Sequence, residues 1–473
     1  MRKFDIENGI LIKYNGNDSH VVIPNSVTKI CNGAFFKCYR LTSVTIPCSV
    51  TEIGFMAFGH CKNLKSITIP NSVTKIGRAA FCYCDTITSI DIPNSVTRID
   101  DYAFNNCINL TSIEIPNSIT KICDGVFYNC RSLNSIEIPN SVTYIGYDAF
   151  CFCTNLTNIE IPNGVEIIGS DAFRGCNRLK NIKIPNTVTE IGVSAFAECE
   201  DLTSINIPNG VTSIGNNAFA GCKNLTSINI PNSVTSIGSG AFSKCSSLKS
   251  IEIPNGVTVI GGYAFDGCTS LTNIKIPNSV TEIYRFAFAG CKNLSSIKFP
   301  KNLSIIEAYA FSKCENLMSI DIPDSVKQIN PLAFAFCKNL NRIKIPNSVA
   351  NIGYDVFKKI KIVKLKYDDN GSLKAFKAFD KDWTCRGFKY KIGKSYHQDG
   401  NIKCCENGFH ACPNPLDVFN FYNGDLKYLR FAEVELSGTM DFGDDKVAAS
   451  DITIVRELSA TELAEIYNSM EKL

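Results

Sequence analysis

Apolar and polar positions follow one short pattern that recurs along most of the chain. Around residue 110 it reads Leu110-Thr-Ser-Ile-Glu-Ile-Pro116, then Asn-Ser, then Ile119-Thr-Lys-Ile-Cys123. Strict alternation over a few residues predicts a short β-strand with one buried face. Ile113 and Ile115 point inward, Leu110 turns inward at the strand entry, and Ser112 and Glu114 face the other way. Pro116 ends the strand, because it cannot donate to a ladder. The Asn-Ser that follows suits a turn, and a second short extended segment comes after it. An Ala-Phe pair then closes the unit. Its phenylalanines, Phe35, Phe58, Phe81, Phe104, Phe150, Phe173 and onward to Phe334, are expected to stack as an internal spine.

The unit is 23 residues long. Proline falls at 24, 47 and 70 and keeps that interval to Pro346, with no insertion. A single unit cannot bury its own apolar face, so neighbours must stack into a continuous core. At a strand spacing of ~4.8 Å the array spans roughly 70 Å. Both ends need covers. Residues 1–21, with Phe4 to His20 as a hairpin, read as the N-terminal cap. Residues 22–365 read as the repeats. The last unit degrades, with Ile360 in place of Cys and Val363 in place of Leu. Asp368-Asp-Asn-Gly371 reads as a short linker, and 366–473 as a separate C-terminal α+β domain.

The Leu-x-x-Ile-x-Ile-Pro-Asn-Ser-Val-Thr-x-Ile-Gly-x-x-Ala-Phe-x-x-Cys unit closely resembles BspA-type leucine-rich repeats. The resemblance covers about 340 residues. It implies a right-handed solenoid with a parallel sheet, and roles in adhesion or protein binding. It names no ligand.

Composition narrows the reading little further. Hydrophobic content of 45% and charged content of 20% describe ordinary globular material. A net charge of +3 is too small to indicate nucleic-acid or membrane binding. The start, Met1-Arg-Lys-Phe-Asp-Ile-Glu-Asn8, has no apolar core of a secretory signal, and no apolar run is long enough to span a bilayer. The expected compartment is therefore the reducing cytoplasm, with free thiols among the 23 cysteines. Cysteine recurs once per unit from Cys38 to Cys337 and reads as a buried column of small side chains. Cys31, Cys48, Cys82, Cys123 and Cys151 fall outside that column and read as neutral substitutions. The Asn after proline (Asn25, Asn71, Asn94, Asn117, Asn140) is expected to bond turn backbone. No Ser-His-Asp arrangement is visible, and no cofactor or metal is expected.

The outward strand position carries more information. It reads Asp91, Glu114, Glu137, Glu160 and Lys183 on successive units, and later Lys275, Lys298 and Lys344. Four stacked acids repel one another, at up to roughly 1 kcal/mol per adjacent pair before screening. This column is either a solvated face or a site for a basic partner or cation. Beside it runs a small polar column, Ser43, Ser66, Ser89, Ser112 and Ser135, which leaves room for a partner's backbone.

In the C-terminal segment Phe376–Phe379, Phe388–Ile392 and Tyr428–Leu436 read as strands. Pro415–Tyr422 reads as a short helix, and Thr461–Lys472 as a terminal helix capped by Ser459 or Thr461. The runs Ala378 to Tyr390, Cys405 to Phe419, Arg430 to Glu435 and Ile454 to Glu457 resemble a small phage and bacterial domain of unknown function. Cys385, His397, Cys404, Cys405, His410 and Cys412 are zinc-type ligands, but their spacing fits no standard zinc motif. Arg386-Gly387 on a strand, Gly408-Phe-His410, and Glu433-Val-Glu435 on another strand loosely resemble elements of ADP-ribosyltransferases. That resemblance implies Arg386 at a cofactor phosphate and Glu435 at the nicotinamide ribose. Phe409-His-Ala-Cys412 stands where such enzymes carry Ser-Thr-Ser.

The sequence thus predicts a non-catalytic scaffold that binds a protein partner on its strand face. An effector with an enzymatic tail, and a surface adhesin, are the alternatives.

Overall fold

The computed structural model describes residues 2–360, 365–404, 406–421, 424–443 and 445–470. The chain divides into two units, residues 1–256 and 257–473. Val363, Cys405, Tyr422 and Lys472, which figured in the reading above, lie outside the described residues.

The first unit is a parallel-sheet solenoid. A hairpin opens it, with Phe4–Glu7 antiparallel to Ile10–Tyr14. As far as Ile237 each later turn contributes a three-residue strand and a two-residue strand, 23 residues from their counterparts. Ser135–Glu137, Asn158–Glu160, Asn181–Lys183, Ser204–Asn206 and Ser227–Asn229 form one five-stranded parallel sheet. Isoleucines of each strand are buried and the flanking residues exposed, as alternation requires.

Between the second strand and the next turn lies an arc with neither strand nor helix. Its backbone is nonetheless bonded to the neighbouring turn. The N–H groups of Met56, Phe58 and His60 donate to Arg78, Ala80 and Cys82 of the next turn, while Ala57, Gly59 and Cys61 donate within their own arc. This alternation sets two residues per turn at positive φ, for example Met56 at 50° and His60 at 59°. A left-handed L-residue costs roughly 1–2 kcal/mol, offset here by the backbone bonds of this ladder, which Phe58 makes to Ala80 and Phe81 to Ala103.

Inside the arc the phenylalanines stack. Ring centroids of Phe58, Phe81 and Phe104 follow at 5.4 and 5.6 Å, nearly parallel. Tyr14 of the hairpin closes that end of the spine, 5.1 Å from Phe35. The cysteine column runs alongside. From Cys61 onward the recurring bond runs from the thiol to the carbonyl of the phenylalanine 26 residues earlier, as from Cys84 to Phe58 at 3.2 Å. Cys84 and Cys107 of this column are buried, and burial pushes their thiols well above the ordinary range.

The turn after proline behaves differently from the expectation. The serine, not the asparagine, carries the recurring bond: Ser72 donates to Val50 and Ser95 to Val73. Asn71, Asn94 and Asn117 are exposed instead. A hydroxyl one residue further along reaches back to the preceding turn, and the expected Asn bond to turn backbone is made by Asn278, which accepts from the Lys301 N–H at 3.1 Å.

The second unit holds further turns and the C-terminal fold. Val259–Ile260, Glu282–Ile283, Ile305–Ile306, Gln328–Ile329 and Asn351–Ile352 pair in parallel. Its spine runs Phe265, Phe288, Phe311, Phe334, Phe357 and ends against Phe419 at 6.3 Å. Gly424–Asp425 then adds an antiparallel strand to Asn351–Ile352. Asp368-Asp-Asn-Gly371, the short linker of the sequence, forms a tight turn in which Asp368 accepts from the N–H groups of Asn370 and Ser372.

The C-terminal sheet is antiparallel, in the order Leu373–Asp380, Leu429–Phe442, Val447–Leu458, Ser395–His397, and Phe409–Ala411 also pairs with Val447–Leu458. The strand Val447–Leu458 was not read from sequence, and of Phe388–Ile392 only Phe388–Lys389 is strand. Pro415–Asn420 is a 3-10 helix. The terminal helix, α1, spans Ala460–Ser469 and begins with a capping box between Ser459 and Glu462.

Candidate functional site

Two places gather chemistry-bearing residues. The first is the strand face of the first unit. Asp91, Glu114, Glu137 and Glu160 are all exposed, on strands that pair in register. Glu114 lies opposite Asp91 and Glu137 opposite Glu160, while Glu160 also faces Lys183. All four acids border one groove of about 880 Å³, floored by Ile90, Ile113, Ile136 and Ile159 and edged by Ser89, Ser112 and Ser135. Among the described residues none of the four acids forms an ion pair. Lys275, Lys298 and Lys344 belong to the second unit. Lys275 and Lys298 sit on adjacent bridged segments, and Lys344 pairs with Asp321 at 3.4 Å.

The second place is a pocket of about 330 Å³ in the C-terminal fold. Arg386 and His410 both line it. Arg386 is not on a strand, as the sequence reading had it. It occupies, with Gly387, the two-residue turn between Thr384–Cys385 and Phe388–Lys389, with φ of 50° and 78°. Positive φ at both central residues is the hairpin turn whose twist matches its strands. Burial, then the charges of Lys377, Lys446 and Arg386, pushes His410 down to about 4.

Glu433 and Glu435 do not reach this pocket. They lie on the face of Leu429–Phe442 opposite Ala432, Val434 and Leu436, which belong to the core beneath it. Glu433 is held by Lys374 at 2.5 Å and Arg456 at 3.1 Å. The grouping of Arg386 with Glu435 that a transferase needs is not assembled. His397 lies elsewhere too, bonded to Asp451 at 2.6 Å and Asp399 at 3.1 Å. Among the described residues no three His, Cys, Asp or Glu side chains are grouped to hold a metal ion.

The residue that sequence reasoning missed is Lys377. Its side chain is buried, and its ammonium donates to the His410 carbonyl at 2.8 Å. The signal was present. In Leu373-Lys-Ala-Phe-Lys-Ala-Phe379 the period-two pattern puts Lys377 in phase with Leu373, Ala375 and Phe379, so a lysine falls on the inward face.

Stacked parallel strands, an internal Phe spine and an exposed strand face define a leucine-rich-repeat scaffold. A family model described as the BspA type leucine rich repeat region matches residues 12–131, 74–200, 167–285 and 258–382, and the chain belongs to that family. Residues 373–466 match a domain of unknown function, DUF7666. Among solved structures, a leucine-rich repeat protein from Bacteroides ovatus is 30% identical, with 72% of this chain and 76% of that one covered and a TM-score of 0.47. A leucine rich cell surface protein from Faecalibacterium prausnitzii is 35% identical, covering 61% and 89%, with a TM-score of 0.41. A leucine-rich repeat protein from Eubacterium ventriosum is 26% identical, covering 77% and 95%, with a TM-score of 0.45. No curated protein matches the chain. The repeats are thus of the non-enzymatic scaffold type. Among the described residues no helix is long and apolar enough to cross a membrane.

Proposed function

We propose that the chain is a non-catalytic scaffold whose acidic strand face holds a basic segment of a protein partner. The observation that carries this reading is the groove bordered by Asp91, Glu114, Glu137 and Glu160. Like charges directly opposite in a sheet are unfavourable. A cationic partner removes that repulsion on binding, and its approach is steered by the same field. The serine column beside the acids lets a partner's backbone come close. In the second unit Lys275, Lys298 and Lys344 offer a basic counterpart for a different contact.

The test is affinity capture from a host lysate with the wild type and with Asp91, Glu114, Glu137 and Glu160 all changed to Lys. A specific partner retained by the wild type and lost by the variant supports the reading. Retention of the same partners by both sinks it, and attention then moves to the basic face and to residues 366–473.

A further inference from the structure

We propose that the C-terminal fold binds a small organic anion, its charged head held by Lys377, Arg386 and Lys446 and its flat apolar body held by aromatic walls.

Three features of the pocket carry this. The first is Lys377. A cation taken out of water is strongly disfavoured unless a counter-charge meets it. Among the described residues no carboxylate pairs with Lys377. Its neighbours are the His410 carbonyl, the Cys385 thiol and the Phe379 ring at 5.7 Å. An ammonium has three donors, and neutral groups are poor substitutes for an anion.

The second is the sign of the lining. Arg386, exposed at the tip of its turn, and Lys446, 4.4 Å over the Phe421 ring, join Lys377 around one space. Among the described residues neither has a carboxylate partner. The one acid on the lining, Glu406, is held by Lys403 at 2.5 Å. With His410 kept neutral, the space is positive, and a ligand is the natural source of the missing charge.

The third is shape. A volume of about 330 Å³ sits at the small end of the range for ligand sites. That excludes a folded partner and suits one small molecule. Phe388 and Phe421 stand exposed at its border, and Tyr390 is buried behind them. Aromatic walls with a few convergent polar groups favour a planar body. The site is independent of the acidic groove in the other unit.

The experiment is titration calorimetry of the full chain with two anions and their neutral analogues: AMP against adenosine, and 2-naphthoate against 2-naphthamide. At least one anion should bind with Kd below about 1 mM, and at least tenfold more tightly than its analogue. Arg386→Gln and Lys446→Gln should each weaken that anion about tenfold. Lys377→Met should erase the preference for the anion. The two rim variants keep the test sound should Lys377→Met misfold. The proposal is overturned if neither anion outbinds its analogue, or if Arg386→Gln and Lys446→Gln leave binding unchanged.

Discussion

Asn468 makes to Ile343 both hydrogen bonds that a neighbouring strand would make. Its amide oxygen accepts from the Ile343 N–H at 2.7 Å, and its amide nitrogen donates to the Ile343 carbonyl. Two residues of the same segment extend the substitution: Tyr467 donates to the Leu340 carbonyl and Thr461 to that of Ile345, each at 2.8 Å. The helix α1 therefore stands where the next turn of the solenoid would be. An open parallel edge invites pairing with another chain, and this one is closed by side chains.

Asn468→Ala should remove two bonds and strand the Ile343 backbone, costing about 2–4 kcal/mol locally. Hydrogen exchange reads this directly. Protection of the Ile343 amide should fall while that of Ile205, in the other unit, stays put. Unchanged protection at Ile343 would mean that α1 is not what covers the edge.

Phe196 lies fully buried between Phe173 and Phe219, at 5.4 and 5.6 Å. Phe196→Ala should cost ~3–5 kcal/mol by emptying a packed position. A denaturation curve that overlays the wild type would contradict the packed spine.

Glu137 and Glu160 sit directly opposite on neighbouring strands. Glu137→Gln should stabilise the fold slightly, by less than about 1 kcal/mol, and more at low salt than at high salt. Loss of stability would show that the acidic column is held by contacts of its own rather than strained by its charge.

The chain has four histidines, so an NMR titration can resolve them. His397 should titrate above the ordinary 6.5, chiefly through its bond to Asp451 and then that to Asp399. Asp451→Asn should bring it down. His410 should stay neutral until about pH 4. Its folded value lies below the unfolded one, so the unfolded chain takes up the proton first. Stability from this group is full above about pH 6.5 and is lost as pH falls toward 4, by about 3 kcal/mol at most. A His410 that titrates near 6.5 would remove the buried positive environment from the pocket.

The repeat was legible because each side chain in it answers to the same neighbours every 23 residues. Ile113, Phe104 and Cys107 could be assigned inward from spacing alone, and the structure buries all three. The arc between them was not legible. Its left-handed positions hold Met56, Tyr102, Asp148, Ser194 and Phe286, with no shared residue type. There the backbone ladder dictates φ, and the side chains are half-buried whatever their type, as Phe286 is between Tyr263 and Tyr309. In the C-terminal fold, Val447–Leu458 escaped notice because its partners, Leu429–Phe442 and Ser395–His397, are fixed by tertiary pairing and not by local pattern. Lys377 escaped because a lysine is read as a surface residue unless its phase with Leu373 and Phe379 is followed.

The bonding of each turn also bears on how such a chain evolves. Thr74 bonds to Thr51, and Thr97 bonds to Thr74, by the same contact moved one turn along. No interior turn depends on its serial number. Unequal recombination between repeats that deletes or duplicates one whole turn would leave each surviving bond with an equivalent partner. The groove can therefore lengthen or shorten in single steps under selection, while Tyr14, which closes the spine of the first unit against Phe35, lies outside the repeat and must be kept by every length variant.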